Sequence, residues 1–282
     1  MKQRVITGLV GGILFVSLMY LGGMWYSSFI LLLALIGFYE FMRMAGIRPF
    51  GIAGILGYII LISILSTNFV GLWTVAIKYL SVQQLMAIST STSEIILPMI
   101  ILLLLYTVAS KNKFNIEHAA LTLFGALYIG FGFHYVTIAR SYVGMGGFWL
   151  TLLIWFAIWS TDSGALFAGR AFGNRKLWPE ISPNKTVEGA LGGWISAIIV
   201  VVVTDWLLLT LNVLGALPLS QAFFIALVTG VVAQLGDLVE SAYKRHFGVK
   251  DSGRIIPGHG GVLDRFDSML IVFPILYLFG LY

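Results

Sequence analysis

The chain has 282 residues, 59% of them hydrophobic and only 10% charged, with a net charge of +5. A soluble domain carries about 25% charge, so a soluble globular protein and a disordered chain are both excluded, and an all-α polytopic membrane protein remains. The absence of cysteine excludes disulfides and thiolate metal sites but assigns no compartment.

The N-terminus reads Met1-Lys2-Gln3-Arg4 and then runs apolar to about Leu21. No small-x-small cleavage site follows and further apolar segments do, so the stretch is read as a first transmembrane helix rather than a secretory signal. A membrane helix needs roughly 20 mostly apolar residues. Nine candidate spans fit, near 5–22, 24–44, 51–70, 92–110, 118–140, 147–170, 187–211, 219–243 and 263–281. The third is the least clean, and the moderately polar residues 71–91 suit an interfacial helix; eight spans with a re-entrant segment is the alternative.

Charge placement sets the expected orientation. With the N-terminus in the cytosol, 15 of the 17 basic residues fall on the cytosolic side, and only Lys78 and Arg140 do not. The positive-inside rule is then satisfied. Two basic loops, 171–186 and 244–262, open on that same side, where an anionic water-soluble substrate can meet a lipid headgroup.

Span six ends Thr161-Asp162-Ser163-Gly164-Ala165-Leu166-Phe167-Ala168-Gly169-Arg170. Asp162, Leu166 and Gly169 share one helical face. The small residues read as a packing seam that lets another helix approach. An acid in a span costs roughly 2.5–3.5 kcal/mol at the bilayer centre, so Asp162 reads as functional. In the loop Ser182-Pro183-Asn184-Lys185-Thr186-Val187-Glu188-Gly189, Thr186 or Asn184 suits an N-cap and Glu188 a first helical turn. A helix N-terminus beside Lys185 is equally an anion site.

Span eight carries Gln234, Asp237, Ser241 and Lys244 or Arg245 as one stripe, with Glu240 and Lys244 an i,i+4 pair. Span nine opens with Asp264 and Asp267 one turn apart, facing the same way. Two acids there, opposite a third on span eight, form a hard oxygen site suited to Mg²⁺. From Asp237 to Asp267 lie ten of the chain's 29 charged residues, a concentration beside apolar segments that itself marks a site. His259 reads as a hydrogen-bonding loop residue. Gly258, Gly260 and Gly261 permit unusual backbone angles and close approach to a phosphate. Three acids or bases elsewhere have plain readings: Asp205 facing water at the outer end of span seven, His134 as packing, and Glu40 paired with Arg43. Trp155, Trp159, Trp194 and Trp206 are packing or belt residues.

The block Ser241-x-x-Lys244-Arg245-x4-Lys250-Asp251-x-Gly253-x3-Pro257-Gly258-His259-Gly260-Gly261-x-x-Asp264-Arg265-x-Asp267 resembles the signature of the CDP-diacylglycerol synthases, or phosphatidate cytidylyltransferases. Thr161-Asp162-Ser163-Gly164-Ala165, Gly169-Arg170-x-Phe172-Gly173, Ser182-Pro183-Asn184-Lys185-Thr186-x-Glu188-Gly189 and Gln234-x-Gly236-Asp237 are similar to that family too. The match covers roughly residues 155–270. Leu166 departs from it, standing where the family commonly has an aromatic residue.

The resemblance implies transfer of CMP from CTP to phosphatidate, with Mg²⁺ required and room for a second cation, monovalent or divalent. It implies a division into variable N-terminal spans, 1–115, and a catalytic region, 116–282. Asp237 and Asp264 are then expected as principal metal ligands, with Asp267 and Asp251 nearby and Asp162 lining the same cavity. Lys185, Lys244, Arg245, Lys250 and Arg265 are expected to hold phosphates, with Ser182, Asn184, His259 and Gly260 as further contacts. The expected partners are CTP, phosphatidate and membrane lipids, with no nucleic acid and a homodimer left open. The expected location is a bacterial inner membrane, with the site facing the cytosol. Another CTP-using lipid enzyme, such as a polyprenol kinase or a CDP-archaeol-type synthase, and an ion-coupled transporter are the competing readings. The CDP-alcohol phosphotransferases fit poorly, because no Asp-Gly-x-x-Ala-Arg run is present.

Overall fold

In a hydrocarbon environment every backbone N–H and C=O must be satisfied within its own segment, so an oily chain of this kind folds as helices. The computed structural model describes residues 2–66, 92–142, 145–213, 215–256, 258 and 260–282. Its elements are α1 (Lys2–Leu21), α2 (Gly23–Met44), α3 (Ile52–Ser66), α4 (Thr92–Ala109), α5 (Ile116–Ser141), α6 (Met145–Phe172), β1 (Lys176–Trp178), β2 (Ser182–Thr186), α7 (Val187–Thr210), α8 (Leu219–His246), α9 (Leu263–Phe266) and α10 (Met269–Leu278). Five helices, within α2, α5, α6, α7 and α8, are long and apolar enough to cross a membrane. Four shorter apolar helices accompany them, within α1, α3, α4 and α10. The protein is an all-α polytopic membrane protein. The interfacial helix expected over 71–91 lies outside the described residues.

The chain forms two compact units: residues 1–137 with 251–263, and residues 138–250 with 264–282. In the first, α1 meets α2 through Phe15 edge-on to Tyr26, and α2 packs on α3. Phe38 and Phe41 of α2 are buried against Gly57 of α3 and Gly125 of α5. These large-into-small contacts suit a medium where close packing rather than water exclusion holds helices together.

In the second unit α6 and α7 are the most extensively packed pair. Gly164, Ala165 and Ala168 of α6 lie directly against Gly192, Gly193 and Ser196 of α7, the seam expected from the small residues. Helix α8 joins α7 through two side-chain bonds. Trp194 Nε1 donates to Leu227 O at 3.0 Å, and Gln234 Nε2 donates to Ala190 O at 3.0 Å.

Two segments differ from the sequence reading. Loop 171–186 holds a two-stranded antiparallel hairpin, pairing Lys176 with Thr186 and Trp178 with Ser182. Pro183 is tolerated because a two-stranded sheet is all edge. The expected ninth span is not one helix: α9 stops at Phe266 and α10 starts at Met269. Ser268, in the break, keeps helical angles (φ −62°, ψ −38°) and makes two bonds. Ser268 N donates to the Asp267 carboxylate at 2.6 Å, and Ser268 Oγ donates to Ala233 O of α8 at 2.9 Å.

Candidate active site

The site is built in the second unit by four elements. Helix α7 starts at a side-chain cap: Thr186 Oγ1 accepts from Gly189 N at 3.1 Å, satisfying one of the helix's orphan donors. Glu188 in the first turn accepts the N–H groups of Asn174 and Arg175. The hairpin is thereby tied at both ends, and Lys185 is held next to α8. Its Nζ lies 2.6 Å from Asp237 Oδ2, and Ser241 Oγ donates to the other oxygen of Asp237 at 3.3 Å.

Two turns along α8, Lys244 bridges two carboxylates. It lies 2.8 Å from Glu240 Oε2 and 2.8 Å from Asp264 Oδ1. The Glu240–Lys244 pair is the one the spacing predicts, and Asp264 completes it. Both acid side chains are 4% exposed, so this is a desolvated triad. Removing one member of such a group strands a buried charge, which is far costlier than the net value of the pair.

Gly236 lets the break after α9 approach. A Cβ there would lie 2.7 Å from the Ser268 Cα, so any larger residue would push the backbone carrying Asp267 away from α8. Asp267 is within electrostatic reach of Asp237, Glu240 and Lys244. From α6, Asp162 senses Asp237, Asp267, Lys185 and Arg265. A cavity of about 510 Å³ opens among Asp162, Gly169, Asn184, Lys185, Gln234 and Asp237. The face of α6 that carries Asp162, Leu166 and Gly169 does line one cleft.

The other expected residues are placed as follows. Asn184 lines the cavity, and Ser182 sits half-buried in the hairpin, opposite Trp178. Arg245 Nε donates to Ile181 O at 3.4 Å, so it braces the hairpin. Lys250 and Asp251 are exposed and take part in no ion pair among the described residues. Asp251 and Gly260 belong to the first unit. There Gly260 adopts φ +88°, and its carbonyl accepts from Ile256 N at 3.0 Å, closing a turn. His259 lies outside the described residues.

Two acids are not where their plain readings put them. Asp205 is fully buried rather than facing water, and its Oδ1 accepts from Leu217 N at 3.1 Å. The α7–α8 connection folds back over it. Glu40 of α2 is 1% exposed, and its carboxylate goes to the backbone rather than to Arg43. It accepts from Val262 N and Leu263 N, each at 3.0 Å, and from Ser252 Oγ at 3.3 Å. A Cβ at Gly253 or Gly261 would collide with that carboxylate. Glu40 thus anchors the loop that leads into Asp264, and a partner 222 residues away leaves no local sequence signal. The one usable hint in the sequence is an acid inside an apolar helix.

Among the described residues, no three His, Asp or Glu side chains gather tightly enough to hold a metal ion. Three of the acids, Asp237, Glu240 and Asp264, are instead taken by lysines. The donor chemistry nevertheless fits a hard cation. Five carboxylates, Asp162, Asp237, Glu240, Asp264 and Asp267, face the three cations Lys185, Lys244 and Arg265. Glu240 Oε1 is buried, and Glu240 lies within hydrogen-bonding reach of Asp267. The cluster holds more carboxylates than cations, and oxygen ligands of this type suit Mg²⁺.

Apolar helices around a cleft of interleaved carboxylates and cations define a polytopic membrane protein with a half-buried ionic site. The chain belongs to the cytidylyltransferase family, whose model matches residues 2–282. It is 40% identical over 281 residues to the phosphatidate cytidylyltransferase of Bacillus subtilis (strain 168), an alignment covering 98% of this chain and 96% of that protein. It is 40% identical over 277 residues to the phosphatidate cytidylyltransferase of Staphylococcus haemolyticus, covering 98% and 97%. With the phosphatidate cytidylyltransferase of Staphylococcus saprophyticus it shares 41% identity over 276 residues, again covering 98% and 97%.

Proposed function

We propose that the protein is a phosphatidate cytidylyltransferase. A phosphate oxygen of phosphatidate attacks the α-phosphorus of CTP. The bond from that phosphorus to the bridging oxygen breaks, pyrophosphate leaves, and CDP-diacylglycerol forms. The attacking oxygen is already anionic at neutral pH, so no strong general base is needed. The difficulty is bringing one anion onto another, and the remedy is preorganised positive charge around an in-line transition state. Lys185, Lys244 and Arg265 supply that charge from the cluster, with Arg245 and Lys250 as further phosphate contacts. Ser182 and Asn184 offer additional donors. Mg²⁺, held by Asp237, Asp264 and Asp267, supplies Lewis-acid stabilisation of the phosphates when bound. In that state the phosphates compete with the carboxylates for Lys185 and Lys244. Asp162 lines the cleft and orients water or the bound ion.

The observation that carries this reading is the excess of carboxylates over cations around one cleft, in a chain 40% identical to enzymes of that name. The nine spans, the cytosolic N-terminus and a site on the cytosolic face of a bacterial inner membrane belong to the same proposal. They are supported by the distribution of basic residues and by the bacterial relatives. The test is purified protein with phosphatidate and CTP labelled at either the α- or the γ-phosphate. Label from the α-position is expected in the lipid product, and label from the γ-position in released pyrophosphate. Label from the γ-position in the lipid, with CDP released, would instead make it a kinase.

A further inference from the structure

The first unit holds a cleft of about 1010 Å³, at the upper end of the range for small-molecule sites. It lies where the α2–α3 turn, the C-terminal end of α4 and the start of α5 come together. Its rim carries Arg48, Lys111 and Lys113, its walls Tyr106, Phe114 and His118, and among the described residues no acid lines it. The three cations are exposed and take part in no ion pair among the described residues. None of these residues belongs to the candidate active site.

The α4–α5 turn is ordered. Asn112 N bonds to Thr107 O at 2.9 Å and Lys113 N to Ser110 O at 3.2 Å. Ser110 Oγ accepts from Phe114 N at 3.1 Å, and Asn115 caps α5 by accepting from His118 N at 2.9 Å. Phe114 stacks on His118 at 5.7 Å and meets Tyr106 at 5.1 Å. Lys111 and Asn112 both adopt left-handed conformations, with φ of 53° and 64°. Glycine is the favoured residue there, yet the turn keeps a lysine and so keeps its cation on the rim.

The surroundings are apolar and open. Ile52, Leu105 and Val108, on the helices bordering the cleft, are 56%, 58% and 76% exposed. In a membrane protein such side chains meet lipid. A basic pocket between helix ends, opening onto lipid-facing apolar surface, matches the chemistry of a phospholipid whose headgroup carries net negative charge.

We propose that this cleft binds the headgroup of an anionic phospholipid. The lipid phosphate lies among Arg48, Lys111 and Lys113, the headgroup rests against Tyr106 and Phe114, and the acyl chains run along α3 and α4. The proposal rests on the membrane reading of the chain and not on the transfer reaction. Phosphate chemistry alone would equally suit a soluble anion, and the apolar border selects the lipid.

The test is native mass spectrometry of the full-length protein in detergent, titrated with phosphatidylglycerol or phosphatidylcholine. One retained phosphatidylglycerol per chain and no retained phosphatidylcholine is expected. The R48Q/K111Q/K113Q variant is expected to lose at least tenfold in apparent affinity, while R48K/K111R/K113R retains binding. Gel filtration of each variant confirms an intact fold. Excess inorganic phosphate leaves the lipid in place. Equal retention of both lipids, undiminished phosphatidylglycerol binding by the folded glutamine variant, or full displacement by inorganic phosphate would each overturn the proposal. All of these readouts are independent of cytidylyl transfer, so failure here and failure of the proposed reaction are distinguishable.

Discussion

Glu40 and the Asp162–Asp237–Asp267 group are both acids within helical apolar surroundings, and they are served in opposite ways. Glu40 meets two backbone N–H groups and a hydroxyl. These donors are fixed by the chain, so its environment is settled on folding. The acids around α8 meet one another, with Asp237 and Asp264 each paired to a lysine. Backbone donors suit an acid that holds structure. Mutually repelling carboxylates served by movable ammonium groups suit a site where charge must arrive and leave.

The comparison breaks most visibly if substitution of the cluster leaves turnover intact. D237N and D264N preserve shape and remove one negative charge each. Each is expected to lower cytidylyl transfer by about 10²–10³-fold, the loss typical of removing one preorganised electrostatic group. The thermal transition of the purified protein should stay near wild type for D237N. Transfer assays paired with melting curves check both halves.

At Glu40 the expectation reverses, with stability the first casualty. E40A strands the N–H groups of Val262 and Leu263 in a buried site, costing about 1–3 kcal/mol for each unsatisfied donor. Glutamine is no substitute, because its NH₂ group faces donors. Faster hydrogen exchange at those two amides is expected, together with a lowered melting temperature. Transfer also declines, because Leu263 leads directly into Asp264. Exchange rates identical to wild type in E40A would remove Glu40's anchoring role.

The smallest effect sharpens the contrast. Asp205 is buried, with one oxygen accepting from Leu217 N, and D205N keeps that acceptor. Transfer within about twofold of wild type and a stability change of about 1 kcal/mol or less are expected, in line with a neutral hydrogen bond in place of a charged one. A large loss of activity in D205N would mean that burial of a lone acid, rather than clustering, marks function in this fold.

Much of this was legible in the sequence because membrane helices and their charges are local signals. The apolar runs gave the long helices, and the i,i+4 step gave Glu240–Lys244. Small residues gave the α6–α7 seam, and Thr186 was one of two cap candidates, with Asn184, of which the structure uses Thr186. Asp162 and Asp237 were singled out as acids within spans, and Asp264 and Asp267 as a pair opening span nine; all four fall in one unit. What was hidden depends on distant partners. Apolar residues continue past Asp267, so nothing in the pattern reveals the interruption between Phe266 and Met269. The hairpin at 176–186 has no alternating pattern, and Pro183 argues against a strand. Glu40 and Asp205 were misplaced because each accepts from backbone N–H groups outside its own helix, which carry no residue code.

The central claim is that the carboxylate-rich cluster around Asp237 binds a divalent cation. The direct measurement is a titration of the purified, nucleotide-free protein with Mn²⁺, followed by electron paramagnetic resonance. At least one ion should bind per chain, competed by Mg²⁺ and weakened at least tenfold in D237N. No bound ion, or binding unchanged in D237N, would contradict the claim.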